Sequence, residues 1–494
     1  MWTIQNRQGN NFPFRVGFFI FRGISATYGY GFPSGEGRKH RRTVYQGDVI
    51  SMKIRKKKID TDVLRILDRL RQNGCEAYVV GGAVRDLVMG NEPKDFDIVT
   101  DAGIDRIASL FEHTVQVGES FGVSLVVING RPYEVAQFRE DGEYRDGRRP
   151  VSIRSATAER DVRRRDFTIN ALLYDSDTEE VIDYVSGIDD IRAGIIRTIG
   201  DPAVRFAEDR LRMLRAIRFA AGFGFAIEPA VMEAIRHSAP AITDISSERI
   251  GRELGAIFSG NHPDRALDLL DSSGLLGVVL PEVAAMKGVE QPPRYHPEGD
   301  VYVHTRGMLG HFGGGSVTLG LGILLHDVGK PRTQIFADRI RFTGHEVVGE
   351  DIAGSILKRL RFPGDTIKRV RFLVRQHSKF MNAPDMRPAV FRRFVSQDGF
   401  DELMELFRLD CLASHGNLDI YELVRERIAA KIPSGPAMPS PLLNGVDLKA
   451  LGYRPGPIFS TILSWVYDEQ LEGRVSTKEE AIRAVRAEFP MAAE

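Results

Sequence analysis

The chain has 494 residues, 43% of them hydrophobic, enough for two to four domains of roughly 150 residues each. Its 67 basic and 67 acidic residues cancel, which excludes a uniformly basic nucleic-acid binder and leaves only a local patch for such a partner. The 2 cysteines, Cys75 and Cys411, exclude a disulfide framework and fit a reducing cytoplasm.

Residues 1–51 are rich in glycine, phenylalanine and polar residues without periodicity and read as a dispensable, disordered extension. Their apolar run, Val16 to Phe21 between Arg15 and Arg22, is too short to cross a bilayer and lacks the order of a secretion signal, so no membrane partner is expected. Met52, followed by Lys53-Ile54-Arg55-Lys56-Lys57-Lys58, resembles an ordinary N-terminus.

From there the periodicity predicts a helix over 59–73, with Val63, Leu64, Ile66, Leu67 and Leu70 on one face. A buried strand follows at Ala77–Val80, then the turn Gly81-Gly82 and a helix start at Ala83-Val84-Arg85-Asp86. Further strands are predicted at Phe96–Val99, Val123–Ile128 and Tyr133–Phe138, together one α/β unit. After Asp201 the pattern turns helical: Arg205–Ala221, Pro229–Arg236, Ser247–Phe258 and Pro263–Leu270. Lys287–Gly299, with Pro292, Pro293 and Pro297, reads as a linker, and Pro433–Pro441 as another boundary. A helical block, about 304–430, lies between them.

Three constellations carry chemistry. Asp95 and Asp97 open a strand at positions i and i+2, so both carboxylates face one side and repel unless a divalent cation joins them. Oxygen-only ligands suit Mg²⁺, and Glu134 offers a third carboxylate. Ahead of them Gly81-Gly82 lets backbone N–H groups approach a phosphate, with Arg85 beside it. This order of motifs resembles the DNA polymerase β-like nucleotidyltransferase superfamily. Second, Asp209, Arg212, Arg215 and Arg218 recur at three-residue steps. A carboxylate beside a guanidinium matches the acceptor-plus-amine edge that cytosine and adenine share and that uracil and guanine lack.

With Arg165-Asp166-Phe167-Thr168-Ile169-Asn170 and Gly200-Asp201-Pro202 in the same order, the chain resembles the class II tRNA nucleotidyltransferases, the CCA-adding and poly(A) polymerase family, over about 60–285. The resemblance implies that Arg165 and Asp166 hold the nucleotide sugar, that Asp209 and Arg212 read the base, and that Arg215 and Arg218 neutralise the triphosphate or buttress the site. It also implies tRNA, CTP and ATP as partners, and no DNA. The segment Tyr144–Pro150 looks like a full-length version of the loop that in this family helps the switch from C to A, though it reads equally as a basic surface loop.

Third, His304, His326-Asp327, His345, His377 and Asp410 resemble the ligand set of the HD phosphohydrolases over about 295–430. Imidazoles with carboxylates suit Mn²⁺, Ni²⁺ or Fe²⁺ better than Mg²⁺, and Lys330 would hold a phosphate. The implied work is hydrolysis of 2′,3′-cyclic or 2′-phosphates.

The expected fold is therefore α+β: a polymerase β-like head with a mixed sheet and helices (52–190), an all-α neck (191–285), an HD body (286–432) and a helical tail (433–494) that contacts the tRNA body. The expected activity is template-independent addition of CCA. CC-only, A-only and poly(A) addition remain open, as does a phosphohydrolase whose head only binds RNA.

Overall fold

The structure, a computed structural model, describes residues 52–116, 122–142, 152–294, 296–431 and 438–490. The predicted extension 1–51 and the loop at 144–150 lie outside these residues. Within the head, ten strands are β1 (Met52–Lys53), β2 (Ala77–Val80), β3 (Asp97–Thr100), β4 (Thr114–Gln116), β5 (Val123–Ile128), β6 (Arg131–Gln137), β7 (Arg139–Asp141), β8 (Ile153–Ser155), β9 (Leu173–Asp175) and β10 (Glu180–Ile182). Eight of them form one sheet in the order β1-β10-β9-β2-β3-β6-β5-β4, and β7 pairs with β8 apart from it. Within that sheet β3 and β6 run parallel and the other neighbours antiparallel.

Helix α1 (Thr61–Gln72) buries Val63, Ile66, Leu67 and Leu70 against one face of the sheet, as its spacing predicts. Asp60 caps it by accepting from the Asp62 N–H. On the other face Val80, Val99 and Phe138 meet Ala158 and Val162 of α4 (Ala158–Arg163), the short α2 (Gly82–Val88) and α3 (Ile104–Leu110) having been passed on the way. The central strands β2 and β3 thus lie between two apolar layers, and their ends carry Gly81 and Asp97 to one edge of the sheet. β3 starts at Asp97, one residue later than the sequence predicts, so Asp95 precedes the strand.

Beyond α5 (Gly187–Ala193) the described chain is mainly helical, with two pairs of two-residue strands, Ile195–Ile196 with Ala226–Ile227 and Ile335–Phe336 with Ile340–Arg341. The predicted helix Arg205–Ala221 is two helices, α6 (Pro202–Glu208) and α7 (Arg212–Phe223). Asp209 lies at the break with extended backbone, φ −143°. Its side chain accepts from the Leu211 N–H at 3.1 Å, an Asx-type bond that competes with helix continuation. Apolar periodicity runs through both segments, which is why the sequence hides the break. Next come α8 (Pro229–Ser238) and α9 (Ser247–Phe258).

One apolar core runs from Phe167 to Val424 through neck and HD body alike. It is sealed where backbones touch. A Cβ at Gly320 would lie 2.0 Å from the Phe258 carbonyl oxygen at the end of α9, and one at Gly251 would lie 2.2 Å from that of Leu360. The segment 287–299 is not a detached linker: Met286 and Val289 are buried in this core, and the Gly288 N–H donates to Asp300. The tail has its own core of Leu443, Leu448, Ile462, Val466 and Val485, and meets the body through Arg393 with Asp468. Among the described residues no helix is long and apolar enough to cross a membrane.

Gly320→Ala should therefore cost about 1–3 kcal/mol by overpacking backbone against backbone. Gly277→Ala, in a helix with nothing within 4 Å of the new methyl, should be neutral or stabilise by up to about 1 kcal/mol. Urea unfolding of both variants checks the contrast.

Candidate active site and metal centre

The turn after β2 determines the first part of the head site. Gly81 has φ +77°, ψ −132°, a conformation open to glycine alone, and its N–H donates to the Leu172 carbonyl. The backbone then enters α2 beside Arg165, whose Nη1 would be 3.6 Å from a Cβ at Gly81. Arg85 lies buried, with Nη1 on Asn170 Oδ1 at 2.6 Å, Nε on Asp86 at 2.9 Å, and its guanidinium 4.6 Å from the Phe223 ring centroid. It ties α2 to the Arg165–Asn170 segment. Asn170, present in the motif but not singled out as a site residue, is what joins them.

Asp95, Asp97 and Glu134 line one cavity of about 620 Å³ with Tyr133 and Arg131. β3 and β6 pair in parallel with Ile98 beside Val135, which sets Asp97 next to Glu134. Burial, reinforced by Glu134 and Asp95, pushes the Asp97 carboxyl up to about 6, with Arg165 partly offsetting them. Three carboxylates crowded so that one resists ionising are what a divalent cation relieves, and their all-oxygen donors suit a hard ion.

Behind the turn a chain of ion pairs orders the neck face. Asp161, buried, takes Arg165 at 2.9 Å and Arg164 at 2.7 Å. Asp166 takes Arg215 on Oδ2 at 2.7 Å and, on Oδ1, the Phe167 N–H and the Asn170 amide. Burial would raise the Asp166 carboxyl, but Arg215 and those hydrogen bonds outweigh it and hold it below the usual range. Arg212 donates to Glu208, to the Arg205 carbonyl at 3.0 Å and to the Arg164 carbonyl at 3.2 Å. Asp209 receives Arg249 at 2.9 Å. Arg218 binds Glu253 at 2.7 Å and lies 4.4 Å from the centroid of the Phe219 ring. Arg215 and Arg218 are thus engaged by protein carboxylates. Arg249, Glu253 and Glu208 were missed; only their pairing across helices reveals them.

The HD residues converge deep in the body. His326 and Asp327 end the helix Val317–Leu325, His304 comes from Val301–Phe312, His345 opens His345–Arg359, and His377 follows Gly364–Gln376. Three imidazoles turn Nδ1 onto a backbone carbonyl three residues earlier: His326 on Ile323 at 2.8 Å, His345 on Phe342 at 2.8 Å, His377 on Val374 at 2.7 Å. His304 uses Glu298 instead, at 2.7 Å. Each Nδ1 is so engaged, and each Nε2 turns inward. His304 Nε2 lies 3.2 Å from Asp410, His345 Nε2 3.1 Å from His377 Nε2, and Asp327 Oδ1 3.5 Å from His345. His304 Nε2, His326 Nε2 and Asp327 Oδ1 are buried without a hydrogen-bond partner. Buried acceptors left unpaired, on imidazoles and a carboxylate, fit a bound divalent metal. Two donor groups share Asp327: His304 with His326, and His345 with His377. Burial and the neighbouring imidazoles push His377 down to about 3, which leaves it neutral and free to ligate.

Lys330 does not stand ready for a phosphate: its ammonium is taken by Asp327 at 2.7 Å and by Gln291 at 2.7 Å. The cavity in front, about 540 Å³, is lined by His345, His377, Asp410, Phe342 and Met381, and also by Pro292 and His296 from the supposed linker.

Because the Asp166 carboxyl is depressed in the folded chain, its contribution is present above the ordinary carboxylate range and is lost as pH falls below it. Asp166→Asn should cost about 2 kcal/mol at pH 7, given that Arg215 is partly exposed, and less at pH 3; urea unfolding at both pH values checks this.

Family models match three stretches: the poly A polymerase head domain at 77–197, a probable RNA and SrmB binding site of polymerase A at 224–287, and an HD domain at 301–413. A CCA-adding enzyme of Geobacillus stearothermophilus is 43% identical over 224 residues, 45% of this chain and 55% of its own length. One of Bacillus pumilus is 44% identical over 216 residues, 44% and 54% respectively. The chain thus spans about half the length of the curated relatives it matches. The crystal structure of the Bacillus stearothermophilus CCA-adding enzyme in complex with CTP superposes with a TM-score of 0.61 at 27% identity, over 86% of this chain and 97% of that one. The Thermotoga maritima CCA-adding enzyme complexed with tRNA, at 19% identity and a TM-score of 0.57, covers 88% of this chain and 97% of its own and shares the fold. The chain thus carries a poly A polymerase head domain, the RNA-binding segment that goes with it and an HD domain, in that order, and is similar to CCA-adding enzymes.

Proposed function

We propose that this chain adds C, C and A to the 3′ end of tRNA from CTP and ATP, without a nucleic-acid template. The observation that carries the reading is the setting of Asp209 and Arg212. Each is held by a protein partner, Arg249 and Glu208, so that a fixed acceptor and a fixed donor sit on the neck face behind the carboxylates. A base edge with an amine beside a ring-nitrogen acceptor, as in cytosine and adenine, satisfies both; uracil and guanine leave both unpaired, which is costly in a desolvated site. Arg165 and Asp166 hold the sugar, and the Gly81-Gly82 turn with Arg85 supports the phosphates. Asp95 and Asp97, with Glu134 alongside, are the residues that would hold Mg²⁺. When bound, that ion supplies charge neutralisation for the attacking 3′-hydroxyl and the departing pyrophosphate. The names of the curated relatives and the CTP in the similar crystal structure support this substrate choice. CC-only, A-only and poly(A) addition use the same residues, and a primer set separates them.

The HD cluster favours a second activity, hydrolysis of 2′,3′-cyclic or 2′-phosphates. Its support is the set of buried, unpaired atoms of His304, His326 and Asp327, with Asp327, His345, His377 and Asp410 lining the adjoining cavity. The mixed donors favour Mn²⁺, Ni²⁺ or Fe²⁺ over Mg²⁺.

Primer extension on tRNA ending before CCA, after C and after CC, with CTP and ATP singly and together, should give stepwise extension that stops at CCA. Asp95→Ala should lower incorporation by about 10³-fold or more while tRNA binding persists; incorporation at the parent rate would sink the assignment. His326→Ala should lose bound Mn²⁺ or Ni²⁺, read by elemental analysis, and cyclic-phosphate hydrolysis, yet keep nucleotide incorporation. A parent chain that incorporates no nucleotide, with a hydrolytic activity lost in His326→Ala and kept in Asp95→Ala, would favour a hydrolase with an RNA-binding head.

A further inference from the structure

The proline-bearing segment 287–299 brings polar side chains into the HD site at two points. The side-chain oxygen of Gln291, a buried residue, accepts from the Lys330 ammonium at 2.7 Å, and Lys330 in turn holds Asp327 at 2.7 Å. Glu298 engages two imidazoles at once: its Oε1 meets His304 Nδ1 at 2.7 Å and His296 Nδ1 at 2.9 Å. An ionised carboxylate only accepts, so both rings donate their Nδ1–H to it and each keeps its lone pair on Nε2. The rings stand edge to face with centroids 4.9 Å apart. His304 is wholly buried, and its Nε2 lies 3.2 Å from Asp410. His296 instead lines the cavity in front of the cluster, with Asp327, Lys330 and Asp410. The backbone device that aligns the other three imidazoles is taken at His304, because the carbonyl three residues earlier, on Val301, already accepts from the Thr305 hydroxyl at 2.9 Å.

We infer that Glu298 is the positioning residue of the HD centre, holding His304 for a metal ion and His296 for the sugar of the substrate. The inference rests on the reading of this cluster as a metal-dependent phosphohydrolase. An imidazole that donates one N–H to a carboxylate is fixed in tautomer and ring orientation, and its other nitrogen is the more basic for it. Without Glu298 the His304 ring has no partner for Nδ1 and can turn its Nε2 out of the donor set. The second imidazole meets a different group. A bare Nε2 lone pair repels an ionised phosphate oxygen and accepts from a hydroxyl. His296 therefore suits the free ribose hydroxyl beside the phosphate of a nucleoside 2′-phosphate, while the phosphate itself goes to the metal side of the cavity.

Two measurements on the full chain test this. The first is Ni²⁺ affinity by equilibrium dialysis with elemental analysis, counting the metal that His326→Ala loses. Glu298→Ala should weaken it about tenfold or more. Glu298→Gln, which keeps an accepting oxygen, should weaken it less, and remains informative if the Ala variant folds poorly. His296→Phe should keep the parent affinity, as should Glu290→Gln, an exposed carboxylate of the same segment. The second is hydrolysis of adenosine 2′-phosphate and of its 3′-deoxy analogue at saturating Ni²⁺. The parent should prefer the compound with the hydroxyl, and His296→Phe should lower that ratio of kcat/KM about tenfold. Parent affinity in both Glu298 variants, or a ratio within about twofold of the parent in His296→Phe, would overturn the inference. A parent chain with no Ni²⁺ that His326→Ala loses, or with no hydrolysis of either compound, would instead overturn the phosphohydrolase reading on which it rests.

Discussion

The need to match charge in a half-buried cleft governs how the head and neck are put together. The head and neck crowd carboxylates and guanidiniums together, several of them buried. Left to themselves such groups collapse onto each other or onto solvent. Here each is given a protein partner of opposite sign: Asp161 for Arg164 and Arg165, Arg215 for Asp166, Glu208 for Arg212, Arg249 for Asp209, Glu253 for Arg218. The pairs are partly exposed, so each contributes modestly to stability. Their value lies in orientation, because a guanidinium gripped along two directions has few rotamers left.

The two metal-type sites are built on different logics. In the head, three carboxylates converge from a strand start and a neighbouring strand, and burial, with Glu134 and Asp95 adding to it, raises the Asp97 carboxyl. In the body, three imidazoles are aligned one by one through Nδ1 bonds to carbonyls three residues earlier in the chain, so that local backbone sets their orientation. His304 departs from that pattern, since Glu298 holds its Nδ1 from outside the helix. The two sites also share a scaffold. The continuous core and the glycine contacts at Gly251 and Gly320 join α9, which faces Asp209 and Arg218, to the helix that ends at His326.

Much of this was legible in the linear sequence, and the reason is local. The Gly81-Gly82 turn, the His326-Asp327 pair and the apolar stripe of α1 each encode their geometry within a few residues, through backbone freedom or helical repeat, whereas Asp95 lies ahead of β3, outside the strand alternation its spacing suggests. Other features were illegible for equally physical reasons. Apolar periodicity continues across Asp209, so the break between α6 and α7 is invisible until the Asx bond to Leu211 is seen. Prolines at 292, 293 and 297 suggested a linker, yet Val289, Gln291, His296 and Glu298 of that stretch pack into or face the body.

The sequence by itself therefore determined which chemical groups are present, their order, and the family whose order they follow. The tertiary structure alone decided which group answers which. Arg249 lies 40 residues from Asp209, and Asp166 lies 49 from Arg215. No periodicity links residues so far apart; only the packing of α9 and α7 against the head segment brings them within hydrogen-bond reach. Lys330 makes the same point in reverse, since its neighbours along the chain suggest a free cation and its neighbours in space, Asp327 and Gln291, occupy it.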